Sequence, residues 1–191
     1  MEIDNFIKVY DEVIHFERVA SLVKYAANKV EFKDAAVFGH SKEQVIEKNT
    51  RRTKIYCFNS DSLSSVHWGQ YLRYKILETF KIYNLQFKAR GGTCATKVSS
   101  IDLLKYEVGG FYTLHSDHHA SMPRTLSVVL FLNNDYEGGE LNFHDPSTNE
   151  IYQTIKPSPG RLVMWPSNFM YPHSVSPVTK GTRYAIVSWL T

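Results

Sequence analysis

Apolar residues recur at intervals of three and four through HFERVASLVKYAANKV, residues 15–30, putting Val19, Leu22, Val23, Ala26 and Val30 on one helical face. A second such run, VHWGQYLRYKILETFKIY, carries Leu72, Ile76, Phe80 and Tyr83 along one face. Just before it, NSDSL offers Ser60, Asp61 or Ser62 as a side-chain acceptor for the free N–H groups of the first turn. FIKVYDEVI, ahead of the first helix, has the composition of a strand. Between the helices the polar residues 33–53 read as a loop, followed by the short β-prone run IYCF.

From Cys94 onward the period shortens. CATKVSSIDLLKYEV, FYTLHSD, TLSVVLFLN, GELNFHD, EIYQTIKP, RLVMWP, YPHSVSPV and RYAIVSWL are short β-prone runs broken by Gly, Pro, Asn or Asp. SVVLFL is apolar throughout, as a strand covered on both faces would be. Gly138-Gly139 and Pro159-Gly160 mark turns, the former needing positive φ. The expected fold is mainly β: a double-stranded β-helix, or jelly roll, flanked by N-terminal α-helices. Helical support covers roughly 1–92 and the β core roughly 93–191.

Length and composition narrow the reading only a little. At 191 residues, with 43% hydrophobic and 21% charged, the chain fits one soluble domain, and its 14% aromatic share suits β structure. The net charge of +3 demands no polyanionic partner, and the one basic cluster, RRTK (51–54), reads as a solvated face. Cys57 and Cys94 lack CxxC spacing, so free buried thiols are expected. Neither a signal peptide nor an apolar run near the ~20 residues of a bilayer span is present, which makes the cytoplasm the expected location.

The chemistry concentrates in YTLHSDHH, residues 112–119. In an extended strand alternate residues share a side, so His115 and Asp117 project together while Ser116 and His118 face away. His119 lies past the expected strand end. A third ligand must come from another strand, and His173 in YPHSVSPV is the best candidate; His144, with Asp145 pointing the opposite way, is a weaker one. Two His and one carboxylate form a facial triad that leaves coordination positions open, as non-haem Fe(II) requires. Ten residues after His173, Arg183 sits inside an apolar strand, which is costly unless a carboxylate meets its planar fork. A dicarboxylate chelating the metal at one end and Arg183 at the other satisfies both features.

YEVGGFYTLHSD, RTLSVVLFLNNDYEGGELNF, IKPSPGRLVMWPS and PHSVSPVTKGTRYAIVSWL together resemble the Fe(II)- and 2-oxoglutarate-dependent dioxygenases of the prolyl 4-hydroxylase-like branch, over roughly residues 98–191. EGGEL and HSVSPVTKGTRYAIVSW look especially like a bacterial hydroxylase subgroup. RRTK sits where that branch often carries an Arg-Ser or Arg-Thr motif. The resemblance implies a single dioxygenase domain over 1–191, with His115, Asp117 and His173 holding iron and Arg183 binding the distal carboxylate of 2-oxoglutarate. Tyr106 and Tyr112 match positions lining the cosubstrate pocket. A Tyr of many prolyl hydroxylases is replaced by Phe131, with Tyr106 or Ser127 as candidates for the missing hydroxyl; Trp189 is expected to pack beneath the site.

The implied reaction is hydroxylation of an unactivated C–H bond, with O2 consumed and succinate and CO2 released, and with ascorbate as a candidate supporting reductant. A prolyl or other side chain in a protein or peptide is the implied substrate, with a free amino acid or small metabolite as the alternative. A nucleobase is disfavoured: the demethylase branch places a second Arg and an Asn where this chain has Trp189 and Ala185. A non-catalytic metal-binding jelly roll and a Zn2+ hydrolase are the competing classes. The first leaves Arg183 unexplained and the second lacks a positioned general base.

Overall fold

The computed structural model describes residues 3–38, 44–58, 61–87, 93 and 95–191. After a 3-10 turn at Ile3–Phe6 come strand β1 (Lys8–Tyr10) and helix α1 (Phe16–Lys29). The short strands β2 (Lys33–Asp34), β3 (Val37–Phe38), β4 (Gln44–Val45), β5 (Arg51–Arg52) and β6 (Lys54–Cys57) precede helix α2 (Leu63–Leu85). The rest is β: β7 (Val98–Tyr106), β8 (Phe111–His115), β9 (Leu126–Phe131), β10 (Glu137–Gly138), β11 (Leu141–His144), β12 (Ile151–Ile155), β13 (Leu162–Pro166), β14 (His173–Val175), β15 (Val178–Lys180) and β16 (Arg183–Leu190).

Two antiparallel sheets make the jelly roll. The major sheet runs β1-β13-β9-β16-β7-β6-β2 and the minor sheet β12-β11-β14-β8-β5. Both helices pack on the outer face of the major sheet. Val19, Leu22 and Ala26 of α1 and Leu72, Ile76, Phe80 and Tyr83 of α2 share one buried cluster with Leu103, Leu130, Leu162 and Ile186. Each large aliphatic side chain so buried contributes about 1.5–3 kcal/mol. The opposite face of the same strands meets the minor sheet through Val129, Phe131, Phe143, Val163, Trp165 and Ala185. All six residues of β9 are buried, as its unbroken apolar run predicts, because both its faces are covered.

Helix α2 starts where Ser62 accepts a hydrogen bond from Ser65 N at 3.1 Å. Of the other cap candidates, Asp61 instead receives the Tyr56 hydroxyl, and Ser60 lies outside the described residues.

Two expectations are corrected. Residues 33–53 are not simply loop: they hold two-residue strands that borrow partners from longer ones, β2 on β6 and β5 on β8. Cys57 is a free thiol but exposed, because β6 is flanked on its outer side only by the two residues of β2. Cys94 lies outside the described residues. Among those described, no helix is long and apolar enough to cross a membrane.

Candidate metal centre and its cavity

Alternation on three neighbouring strands of the major sheet builds one wall of the site. Arg183, Ala185, Val187 and Trp189 of β16 face inward, as do Tyr106, Leu104, Asp102 and Ser100 of β7, and Phe131, Val129 and Ser127 of β9. The opposite wall comes from the minor sheet, where β14 and β8 pair antiparallel with His173 directly across from His115. Asp117, two residues past the end of β8, completes the group. A cavity of about 470 Å3 lies between the walls, lined by all three of these residues and by Arg183, Tyr106, Tyr112, Asp102, Arg124, Trp165 and Trp189.

One ligand atom from each of His115, Asp117 and His173 lies within 4.8 Å of the others. Asp117 Oδ2 stands 3.5 Å from His173 Nε2, and Asp117 Oδ1 stands 3.8 Å from His115 Nε2. Each imidazole donates its Nδ1–H to a backbone carbonyl, His115 to Thr113 at 2.8 Å and His173 to Tyr171 at 3.1 Å. Those bonds fix the tautomer, leaving both Nε2 lone pairs free for a cation. Ser127 Oγ donates to Asp117 Oδ2 at 2.6 Å and is itself bonded to Ser167 Oγ at 2.8 Å. Arg124 reaches the same residue, with Nη1 donating to the Asp117 carbonyl at 3.3 Å, while its guanidinium stacks 3.5 Å from the Trp189 ring centroid.

The electrostatics favour a metal over protons. Burial, reinforced by the neighbouring His173, pushes His115 down to about 3. Burial alone would raise Asp117, but His173, His115, the Ser127 hydrogen bond and Arg124 outweigh it and hold the carboxyl below its usual range. The site therefore presents a neutral His115 imidazole and an Asp117 carboxylate at neutral pH, the protonation states a divalent cation needs. Two nitrogens and one oxygen on a single side of the cation match a facial-triad iron site.

Arg183 is 1% exposed. Its guanidinium lies 4.8 Å from the Tyr106 ring and 5.4 Å from the Phe131 ring. Among the described residues no carboxylate pairs with it, and its Nε is buried without a hydrogen-bond partner. Close by, the Tyr136 hydroxyl is also without a well-formed partner; burial raises its pKa while Arg183 opposes the rise. Gly139, at φ +66°, lets the turn pass against this pair, since a Cβ there would come within 3.0 Å of Arg183 Cδ and 3.2 Å of Tyr136 Cε2. The geometry thus supplies a buried cation and a hydroxyl awaiting an anion.

The remaining predicted residues separate by position. Tyr106 underlies Arg183, whereas Tyr112 stacks on His115 with ring centroids 3.6 Å apart. The Ser127 hydroxyl is engaged with Asp117 and Ser167, and Ser127 pairs with Trp189 at the end of β16 remote from Arg183. His118 bonds to the Arg124 carbonyl, and His144 to Asn149 and Ser174, so neither joins the cluster. RRTK is more than a solvated face: Arg51 lines the cavity, with its guanidinium 4.7 Å from the Tyr112 ring, and Thr53 is buried. Sequence reading passed over Tyr136, Arg124, Trp165 and Asp102. For Asp102 the signal was available, since a charge within SIDLLKY is as conspicuous as one within RYAIVSWL.

The chain is similar to several known proteins. Residues 101–191 match the 2OG-Fe(II) oxygenase superfamily. A PKHD-type hydroxylase of Synechococcus sp. is 38% identical over 101 residues, 49% of this chain and 43% of that protein. Human prolyl 3-hydroxylase 2 is 40% identical over 68 residues, 36% of this chain and 10% of that protein. The chain thus spans less than half the length of these curated relatives. The fold is shared with a Pseudomonas putida prolyl-4-hydroxylase (TM-score 0.70, 20% identity, 97% of this chain and 91% of that one). It is shared too with a Trichoplax adhaerens prolyl hydroxylase solved with a hypoxia inducible factor peptide (TM-score 0.76, 21% identity, 97% and 83%).

Residues 101–191, a little under half of the chain, thus carry the sequence pattern of the 2OG-Fe(II) oxygenase superfamily. The fold is that of the prolyl 4-hydroxylase structures, and the cofactor set of the matched superfamily is Fe(II), 2-oxoglutarate and O2.

Proposed function

We propose that the chain, acting as one catalytic unit over residues 1–191, hydroxylates an unactivated C–H bond of a prolyl or other residue in a protein or peptide, releasing succinate and CO2. The observation that carries this reading is the pairing of an open-sided His115–Asp117–His173 cluster with a buried Arg183 that has no carboxylate partner among the described residues, in one cavity. A binding module has no use for both.

In this reading His115, Asp117 and His173 hold Fe(II), and the bound metal supplies the activation of O2 and the difficult oxidation. The protein's own groups do the rest. The Nδ1–H bonds to Thr113 and Tyr171 keep the two imidazoles from rotating, and Ser127 holds one Asp117 oxygen so that the other stays aimed at the metal. Arg183, with the Tyr136 hydroxyl beside it, receives the distal carboxylate of 2-oxoglutarate; Tyr106 and Phe131 keep that contact dry and therefore strong. Trp165, Val175 and Leu104 line the space around the reacting centre and exclude water.

The peptide preference rests on the relatives, which are prolyl hydroxylases by name, so a free amino acid remains the second reading. An anaerobic titration of the protein with Fe(II) and 2-oxoglutarate, read by the weak visible absorption of the chelate, tests the core. Succinate release over peptide and metabolite pools, with products read by mass spectrometry, then tests the substrate. A protein that takes up neither iron nor 2-oxoglutarate is not this enzyme.

A further inference from the structure

Asp102 stands in the middle of the apolar strand β7, on its cavity face, in register with Cys57 of β6 and Val187 of β16. It is 5% exposed. Ser100 Oγ donates to Oδ2 at 3.1 Å, and the Cys57 thiol, a weak donor, lies alongside. Oδ1 is buried with no hydrogen-bond partner, and among the described residues no cation forms an ion pair with this carboxyl. Burial holds its pKa above the usual carboxylate range, with Cys57, Ser100, Arg51 and Arg124 each pulling it back. A bare carboxyl oxygen in a dry site is a standing cost to the fold unless something else occupies the space.

Arg51 presents the complementary deficit. It lines the same cavity from β5 of the opposite sheet, and its Nη1 donates to the Ala36 carbonyl at 3.4 Å, yet its Nε is buried without an acceptor. Asp102 and Arg51 do not close on each other, so an acceptor lacking a donor and a donor lacking an acceptor share the cavity that holds the His115–Asp117–His173 cluster. Arg183 serves the cosubstrate end, which leaves this pair for another ligand.

We propose that Asp102 and Arg51 anchor the substrate by the main-chain groups of an amino acid, with Asp102 Oδ1 accepting from its N–H and Arg51 Nε donating to its carbonyl or carboxylate oxygen. This rests on the hydroxylase reading above and says how the target is held beside the metal. The shared chemistry is an N–H donor next to an oxygen acceptor. A peptide supplies it as an amide N–H and a carbonyl, the N–H coming from a neighbour when the target is prolyl. A free amino acid supplies it as an ammonium and a carboxylate.

The test uses the full chain with Asp102→Leu, which removes the acceptor at similar volume, and Asp102→Asn, which keeps one acceptor oxygen. Pools of proline-containing peptides and of free amino acids are screened for products heavier by one oxygen. The expected result is a KM for the best substrate raised about tenfold or more in Asp102→Leu and partly restored in Asp102→Asn. The 2-oxoglutarate Kd, read anaerobically from the chelate band, should stay within about twofold, because one hydrogen bond at a separate end of the cavity is removed. Peptide products alone assign the amide source, and amino-acid products alone the ammonium source. An unchanged substrate KM overturns the proposal, as does equal loss of 2-oxoglutarate binding. If the wild type yields no product in either pool, the hydroxylase reading fails separately. Thermal unfolding then decides the role of Asp102: an anchor left bare lets Asp102→Leu melt no lower than wild type, whereas a fall of roughly 5 °C or more makes it a structural residue and sinks the proposal.

Discussion

Arg183→Met separates two things that one guanidinium is doing. In the protein without ligand Arg183 is 1% exposed and its charge has lost most of its hydration, a cost of several kcal/mol per ion. Its visible compensation is the faces of Tyr106 and Phe131, at 4.8 and 5.4 Å, each worth about 1 kcal/mol, with a weak contribution from the Tyr136 hydroxyl beside it. The cost exceeds the gain, so Met, unbranched and apolar between the same two rings, should leave the ligand-free protein at least as stable as wild type. With 2-oxoglutarate the sign reverses. Removing one partner of a buried, hydrogen-bonded charge pair costs about 2–5 kcal/mol, which is roughly thirtyfold to several thousandfold in Kd.

Thermal unfolding with and without 2-oxoglutarate, in the presence of a divalent metal and absence of O2, reads both effects. At a ligand concentration about a hundredfold above Kd, wild type gains about 2.7 kcal/mol, or roughly 5–10 °C for a chain of this size. Arg183→Met should gain no more than about 0.9 kcal/mol at that concentration, a third of the wild-type gain or less, while binding metal normally. The reasoning is refuted if the variant melts roughly 5 °C below wild type without ligand, or if 2-oxoglutarate stabilises it as strongly as wild type.

Two further outcomes follow from the same geometry. Ser127→Ala removes the 2.6 Å bond that orients Asp117, so Fe(II) affinity, measured by chelator competition, should fall about tenfold to a hundredfold while the fold is retained. Cys57 is exposed, yet burial of its sulfur and the neighbouring Asp102 push its thiol up to about 12. The thiolate is the reactive form, so in a Cys94→Ser background alkylation near pH 8 should run roughly fiftyfold slower than for an ordinary cysteine and quicken with each rise in pH toward the shifted value.

The His115–Asp117 half of the candidate metal cluster was legible because residues two apart in an extended segment share a side, even though Asp117 itself falls just past the end of β8. Arg183 was legible because a charge in an apolar strand needs an explanation. His173 required more, since its place depends on the antiparallel register of β14 against β8, which spacing alone does not fix. The segment 33–53 was not legible as structure, because two-residue strands have no period of their own and exist only by pairing with β6 and β8. Burial of Cys57 was misjudged for a related reason: the covering of β6 is set by a neighbour only two residues long. Arg124 escaped notice because it lies outside regular structure, and its stacking on Trp189 depends on where the loop after Asp117 returns to the sheet.

Among the described residues, five of the ten buried side-chain polar atoms that lack partners lie in or beside a single cavity. Those of Arg51, Asp102, Trp165 and Arg183 belong to residues lining the one cavity, and that of Tyr136 lies beside Arg183. A fold selected only for stability would fill these positions with apolar side chains, since an unsatisfied buried group costs about 1–3 kcal/mol and a charged one more. Their grouping into a cationic end at Arg183 and a mixed-charge end at Asp102 and Arg51, with three metal-type ligands in the same cavity, divides the space chemically. One end suits a carboxylate and the other a donor–acceptor pair. A cavity built for a single ligand needs only one such end, so two unlike ones argue for two ligands held together with the metal.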